Sequence, residues 1–186
     1  VSVGQTINRN LHVDEVLDPQ VLYLRELTRM VSDSGFAHPV TASHCVTLGL
    51  QPPDVQAAVS REVADAGVSV VALPQTNLFL QGRNHPTATP RGLTAIDALS
   101  QAGALVCGGA DNVQDPFNLV GRSDPLETAA LLVMAGHRLP DEAFRMVGAD
   151  ARTCLGLPPA EPVVGAVADF VAIDAPSVRG AIADAP

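Results

Sequence analysis

Polar and apolar positions alternate along this chain in blocks that switch period. Residues 21–31 carry Val21, Leu24, Leu27, Thr28 and Val31 at helical spacing, and Gly35 closes the run. Asp18 and Pro19 stand before it as the expected N-cap and first helical residue. "HPVTASH" (38–44) reads as a short strand. "PPDVQAAVSREVADAG" (52–67) reads as a helix with Val55, Ala58, Val59 and Val63 on one face and Gly67 as its stop. "VSVVALP" (68–74) is an unbroken apolar, β-branched run, the pattern of a parallel strand buried on both faces. A long loop is expected from there to about Gly92. It is followed by a short helix in "TAIDALSQAG", a strand in "ALVCGGAD" (104–111), and a helix capped by Asp124 with Pro125 behind it. "PDEAFRMVGADARTCLG" reads as mostly helical, and "AVADFVAID" (166–174) as a last strand.

Regular alternation of strand and helix predicts an α/β protein with a parallel sheet. No GxGxxG follows a strand and no GxxxxGK[ST] occurs, so a nucleotide-binding doubly wound fold lacks its best signature. The other common parallel architecture is the (β/α) barrel, whose chemistry sits at the C-terminal ends of its strands. There, "LHVDE" (11–15), "VTASH" (40–44) and "GGADN" (108–112) place His12, His44 and Asp111 at three strand ends. Taken singly, each has an ordinary structural explanation. Together, two imidazoles and a carboxylate on one rim can share a divalent ion, and Zn²⁺ and Fe²⁺ both accept such ligands. Glu15, just past the first strand end, would overhang the same mouth as a carboxylate free to move protons. His38, His85 and His137 read as structural or solvent-facing, and Cys45 should point away from the pocket. No GxSxG stands out, nor any Ser-His-Asp or Cys-His set.

Composition narrows the partners. The chain has 186 residues with 11 Lys+Arg against 20 Asp+Glu, a formal charge of −9, with no Trp and one Tyr. It offers neither a basic stripe nor aromatic surface for stacking bases, so a nucleic-acid polymer is not expected as a partner. The three cysteines are scattered and form no CxxC, as suits a reducing compartment. No apolar run has membrane-spanning length and no signal-peptide pattern is present, so the expected location is cytoplasmic and away from membranes.

The words "HVDE", "VTASH", "PQTNLFLQGR" (74–83), "RGLT" (91–94), "GGADNVQDPFNLVG" (108–121) and "GAVADFVAID" (165–174) resemble, in order and spacing, the C-terminal half of an amidohydrolase-superfamily barrel. The resemblance is closest to bacterial cytosine deaminases. It implies a TIM-type barrel represented by strands 5–8 and their helices over residues 1–160. Residues 161–186 would then be a remnant of a small β-sandwich domain plus a tail. It implies one divalent metal ion, Zn or Fe, with His12 and Asp111 as ligands and His44 as a ligand or an orienting group. Glu15, His44 and Asp111 become the catalytic set, and Asn112 and Phe117 line the substrate pocket. The implied reaction is attack of an activated water on cytosine or a related aminated heterocycle, with release of ammonia.

Three features depart from that family pattern. Ala110, Asp111 and Asn112 stand where the family usually has a histidine and two aspartates. Phe117 replaces a tryptophan. Both changes leave room for another cyclic amidine, amide or aminated ring. The HxH pair of the family's first strand is absent. Half a barrel would leave two unpaired strand edges and a partly wet inner face. The expected partners are therefore the missing N-terminal half or further copies of the chain, besides a small heterocyclic substrate. Two other readings stay open: an amidohydrolase opening a cyclic amide, and a catalytically incomplete fragment or pseudo-enzyme subunit.

Overall fold

The structure is a computed structural model that describes residues 9–160, 162–166, 168 and 170–184. Four strands form one sheet: β1 (Arg9–Val13), β2 (Val40–His44), β3 (Ser69–Ala72) and β4 (Val106–Gly108). They lie in the order β1-β2-β3-β4, and every pair is parallel. A parallel neighbour requires a crossover. The chain supplies α1 (Tyr23–Ser34) and α2 (Pro53–Asp65) for the first two, then α3 (Pro74–Leu80) and α4 (Ile96–Gln101) together for the third. After β4 come α5 (Pro125–Met134), α6 (Pro140–Val147), α7 (Ala149–Cys154) and α8 (Val178–Ala183).

The register explains the core. Val40 and Ala42, Val70 and Ala72, and Val106 occupy one set of alternate positions, and all are buried in the cluster shared with the helices. Leu24 of α1, Val59 and Val63 of α2, Leu99 of α4 and Leu132 of α5 are fully buried against them. The other alternate positions carry His12, Thr41, Ser43, Ser69, Val71 and Cys107. That second face is small and polar, unlike the first. Cys154 of α7 comes against it, with Sγ 3.5 Å from Thr41 Oγ1. All three cysteines are buried. Among the described residues no helix is long and apolar enough to cross a membrane.

Where the pattern was periodic, the expected elements form. Gly35 and Gly67 take left-handed φ values of 60° and 65° behind α1 and α2, as helix stops do. Asp124 Oδ1 accepts the Leu126 N–H at 2.9 Å, and Pro125 occupies the first position of α5.

Three expectations fail. Asp18 does not cap α1, which begins four residues after Pro19. Asp18 Oδ1 instead accepts the Gln20 N–H in a local turn. The residues after β3 are not all loop, because α3 occupies Pro74–Leu80. It was missed because its buried residues after Pro74 are Gln75, Thr76 and Asn77, and amphipathic reading looks for buried apolar ones. Finally, the described residues of 166–174 form no strand. A strand needs a neighbouring edge for its backbone groups, and no described strand lies beside this stretch. Phe170 and Val171 are largely exposed there.

Candidate active site

The site is built where β1, β2 and β4 end. In the register of β1 and β2, His12 sits opposite Ser43, and His44 sits opposite the buried Val13. A pleat continued through His44 would keep its side chain on Val13's face. It does not continue. His44 has φ 69°, roughly half a turn from the parallel-strand value, and Cys45 follows at φ 46°. The turn swings the His44 ring to His12, and Cys45 joins the hydrophobic core. Left-handed backbone at such residues costs on the order of 1–3 kcal/mol each. Hydrogen bonds between the two strand ends hold it: Cys45 N–H donates to Val13 O at 2.9 Å, and Val46 N–H donates to Asp14 O at 3.0 Å. Asp14 (φ 52°) and Asp111 (φ 67°) are left-handed as well, so the strain gathers at the strand ends that carry the candidate residues.

His12 Nδ1 and His44 Nε2 are 2.9 Å apart. Glu15 Oε2 lies 3.6 Å from His12 Nδ1 and 3.4 Å from His44 Nε2. Asp111 Oδ2 lies 3.7 Å from His44 Nε2. His12, Glu15 and His44 form a set whose ligand atoms all lie within 4.8 Å of one another. Asp111 touches that set through His44. The rim is graded in exposure: the His12 side chain is 59% exposed, Glu15 33%, Asp111 20%, and His44 is fully buried.

The donor set suits a divalent cation. Four ligands at about 2.0–2.1 Å around a tetrahedral ion stand about 3.4 Å from each other, and the four separations here fall on both sides of that value. Two imidazoles and two carboxylates also leave a net charge that a dication balances. Glu15, expected to overhang without ligating, stands as close to the two rings as a ligand would.

The other candidates are less directly placed. Asn112 is tied into its own loop. Its N–H donates to Thr76 Oγ1 at 3.1 Å, Thr76 Oγ1 donates to its Oδ1 at 3.2 Å, and its Nδ2 donates to Asp115 Oδ2 at 2.6 Å. One N–H and one lone pair of the carboxamide are left for a ligand. Asp115, which desolvation raises but hydrogen bonds from Asn112 and the Phe117 and Asn118 N–H groups together hold below its ordinary value, fixes the same loop. Phe117 is 54% exposed on it. His38 and His85 are exposed, His38 with its ring edge-on to Phe36, and His137 is exposed beside Arg91.

Sequence reasoning missed the supporting residues. Asn77 Oδ1 is 2.9 Å from His44 Nδ1. Gln81 Nε2 donates to the Glu15 carbonyl at 3.1 Å. Asp14, the unassigned middle of "HVDE", accepts the Tyr23 and Leu24 N–H groups with its two oxygens. The first two belong to "PQTNLFLQGR", where the only signal available was a polar run, Gln75, Thr76 and Asn77, next to the apolar residues 78–80.

Comparison with known proteins identifies the family. Residues 5–185 match the amidohydrolase family. The chain is 41% identical over 172 residues to a pterin deaminase of Rhizobium rhizogenes, covering 89% of this chain and 39% of that protein. The 5-methylcytosine deaminase of Klebsiella pneumoniae, solved with 5-fluorocytosine, superposes with a TM-score of 0.80 at 25% identity, over 94% of this chain and 43% of that one. The N-isopropylammelide isopropylaminohydrolase of Burkholderia multivorans gives 0.73 at 29% identity, over 95% and 43%. The chain thus spans about two fifths of the length of these relatives. It belongs to the amidohydrolase family.

Proposed function

We propose that this chain carries the proton-transfer residues and part of the metal site of an enzyme that hydrolytically deaminates an aminated heterocycle. The observation behind this reading is the convergence of His12, Glu15, His44 and Asp111 at one end of a parallel sheet. His12, His44 and Asp111 would hold one divalent ion, Zn²⁺ or Fe²⁺. When bound, that ion supplies Lewis acidity and draws the pKa of an adjacent water toward neutrality. Asp111 orients the water, and His44 does so too if it stands beside the ion instead of ligating it. Glu15 carries one proton of the water to the ring nitrogen, then carries the second, from the new hydroxyl, to the leaving amine. Oxygen bonds to the ring carbon as the C–N bond breaks, so water is consumed, ammonia leaves and the ring keeps a carbonyl. Asn112 and Phe117 would meet the ring, Phe117 with an exposed aromatic face.

Cytosine is one substrate of the right chemistry. The 41% identity to a pterin deaminase, against 25% to the 5-methylcytosine enzyme, favours a pterin-like aminated ring over cytosine. The four strands are best read as strands 5–8 of a (β/α)₈ barrel, with residues 161–186 left from a β-sandwich. The matches cover 43% of each solved relative, which supports this reading. β1 and β4 would then pair with the remaining half of the barrel or with another copy. A catalytically incomplete subunit is the second reading, and the absent HxH is what favours it.

The test is metal content per chain by elemental analysis, beside solution mass and ammonia release from pterin and cytosine. Wild-type protein grown with Zn²⁺ or Fe²⁺ should hold about one ion per site, and His12→Ala should lose it. A His12→Ala variant that binds metal as well as wild type overturns the proposal. Metal without ammonia release from any aminated ring selects the incomplete-subunit reading.

A further inference from the structure

Asn77 is fully buried in α3, yet it is polar. Its backbone is fixed at both ends of the helix: its N–H donates to Leu73 O at 3.0 Å, and its carbonyl accepts the Gln81 N–H at 2.9 Å. Its side-chain Oδ1 meets His44 Nδ1 at 2.9 Å, and His44 is equally buried. Both side chains are shielded from bulk solvent. The other ring nitrogen, Nε2, is the one that faces His12, Glu15 and Asp111.

We infer that Asn77 is the positioning residue of His44, its carbonyl oxygen holding the proton on Nδ1 so that the Nε2 lone pair is presented to the site. A carboxamide oxygen can only accept, so this contact selects one tautomer and one ring orientation. Metal-binding imidazoles are commonly held this way through their second nitrogen. The rest of α3 serves the same end. Thr76 Oγ1 donates to Asn112 Oδ1 beside Asp111, and Gln81 holds the Glu15 carbonyl. The seven-residue helix and Gln81, the residue that ends it, therefore brace all three strand ends of the site. Gly92 lets the following chain pass close beneath it: a Cβ there would meet Gln81 Cβ at 2.6 Å and Asn77 O at 3.3 Å. Among the described residues Asn77 Nδ2 is buried with no hydrogen-bond partner, so packing alone gives no reason for an amide at this position. Its Oδ1 does.

The inference draws on the proposed function only for what Nε2 then does; the positioning stands apart from it. The test is ¹⁵N-histidine NMR of the metal-free chain at one mildly alkaline pH, with Zn²⁺ titration as a second readout. Wild-type His44 should show a protonated Nδ1 and a bare Nε2. Asn77→Asp keeps the acceptor and should keep that signature and at least the wild-type zinc affinity. Asn77→Leu keeps the shape without the acceptor. It should mix the tautomers and weaken zinc binding about 10- to 100-fold, with the His38, His85 and His137 signals unchanged. A bare Nδ1 in the wild type overturns the inference without any variant having to fold, and so does an Asn77→Leu protein identical to wild type. Intact Nδ1 protonation and zinc binding without ammonia release would count against the proposed activity and leave the positioning in place.

Discussion

Asp14 and Leu24 are joined by a hydrogen bond of 2.9 Å, from the Leu24 backbone N–H to Asp14 Oδ2, and the Tyr23 N–H donates to Oδ1 at 2.8 Å. One buried carboxylate thereby caps α1 from the end of β1, eight residues outside the helix. The same residue offers its carbonyl to the Val46 N–H. Asp14 thus ties strand end, helix start and the turn after His44 together. Asp14→Ala strands two N–H groups, one at a fully buried residue, and should cost about 2 kcal/mol. Asp14→Asn, which keeps one acceptor, should cost about half as much. Urea denaturation of the three proteins checks the ranking, and an Asp14→Ala protein as stable as wild type refutes the cap.

The placement of Asp14 also shows how far the sequence could be read. Asp18 and Pro19 make a regular cap by local rules, and the real cap lies four residues earlier and comes from another element. Non-local capping leaves no pattern in a window of neighbouring residues. The parallel sheet and the meeting of His12, His44 and Asp111 were legible, because strand ends of one parallel sheet must share a rim. The direction of the His44 ring was not, since it depends on a left-handed φ at a residue that rarely adopts one. α3 was hidden for a related reason: its inward face is amide and hydroxyl, and each group became intelligible only with its partner in view.

Arg25 of α1 and Glu62 of α2 form a two-pronged ion pair, Nε to Oε2 at 2.8 Å and Nη2 to Oε1 at 2.6 Å. The Arg25 guanidinium holds the Glu62 carboxyl below its ordinary 4.5. A depressed carboxylate contributes stability that is present above pH 4.5 and lost as pH falls through the folded value. Both side chains are more than a third exposed, so screening limits the contribution to about 0.5 kcal/mol. Glu62→Gln should lose about that much at pH 7 and nothing at the acid end. Asp14 runs the other way: burial, the larger effect, raises it against the pull of the Leu24 and Tyr23 N–H groups. Its proton-linked contribution is present below pH 3.8 and is lost as pH rises through the raised folded value. Thermal melts of Glu62→Gln and Asp14→Asn between pH 3 and 7 should therefore diverge from wild type in opposite directions.

Gly49 lies in the short 3₁₀ turn Val46–Leu50 behind His44, and a Cβ added there would clash with the Leu93 carbonyl oxygen. Neither backbone can move without disturbing the other, because Leu48 and Thr94 are buried on either side. Gly49→Ala should destabilise the protein by about 2 kcal/mol, a fall in Tm of about 4–8 °C for a domain of this size. Gly35→Ala meets nothing within 4 Å, and its cost should come only from the left-handed φ of 60°, about 1 kcal/mol. Calorimetry on the two variants separates crowding from backbone strain.

Glu15 stands close enough to both imidazoles to be a ligand, yet the proposed chemistry needs it as a proton carrier. Substitution by its amide distinguishes the two roles. Glu15→Gln keeps size and hydrogen bonding but cannot take up a proton, while the Gln81 tether to its backbone carbonyl is untouched. If Glu15 carries protons, the variant should hold as much Zn²⁺ as wild type and release ammonia about 10²–10⁴-fold more slowly. His12→Ala, by contrast, should lose metal and turnover together. The measurement is metal content beside ammonia release on the same preparations. A Glu15→Gln protein depleted of metal would make Glu15 a ligand, and Asp111, the carboxylate next nearest to His44 Nε2 at 3.7 Å, would then be left as the group that accepts the water's proton.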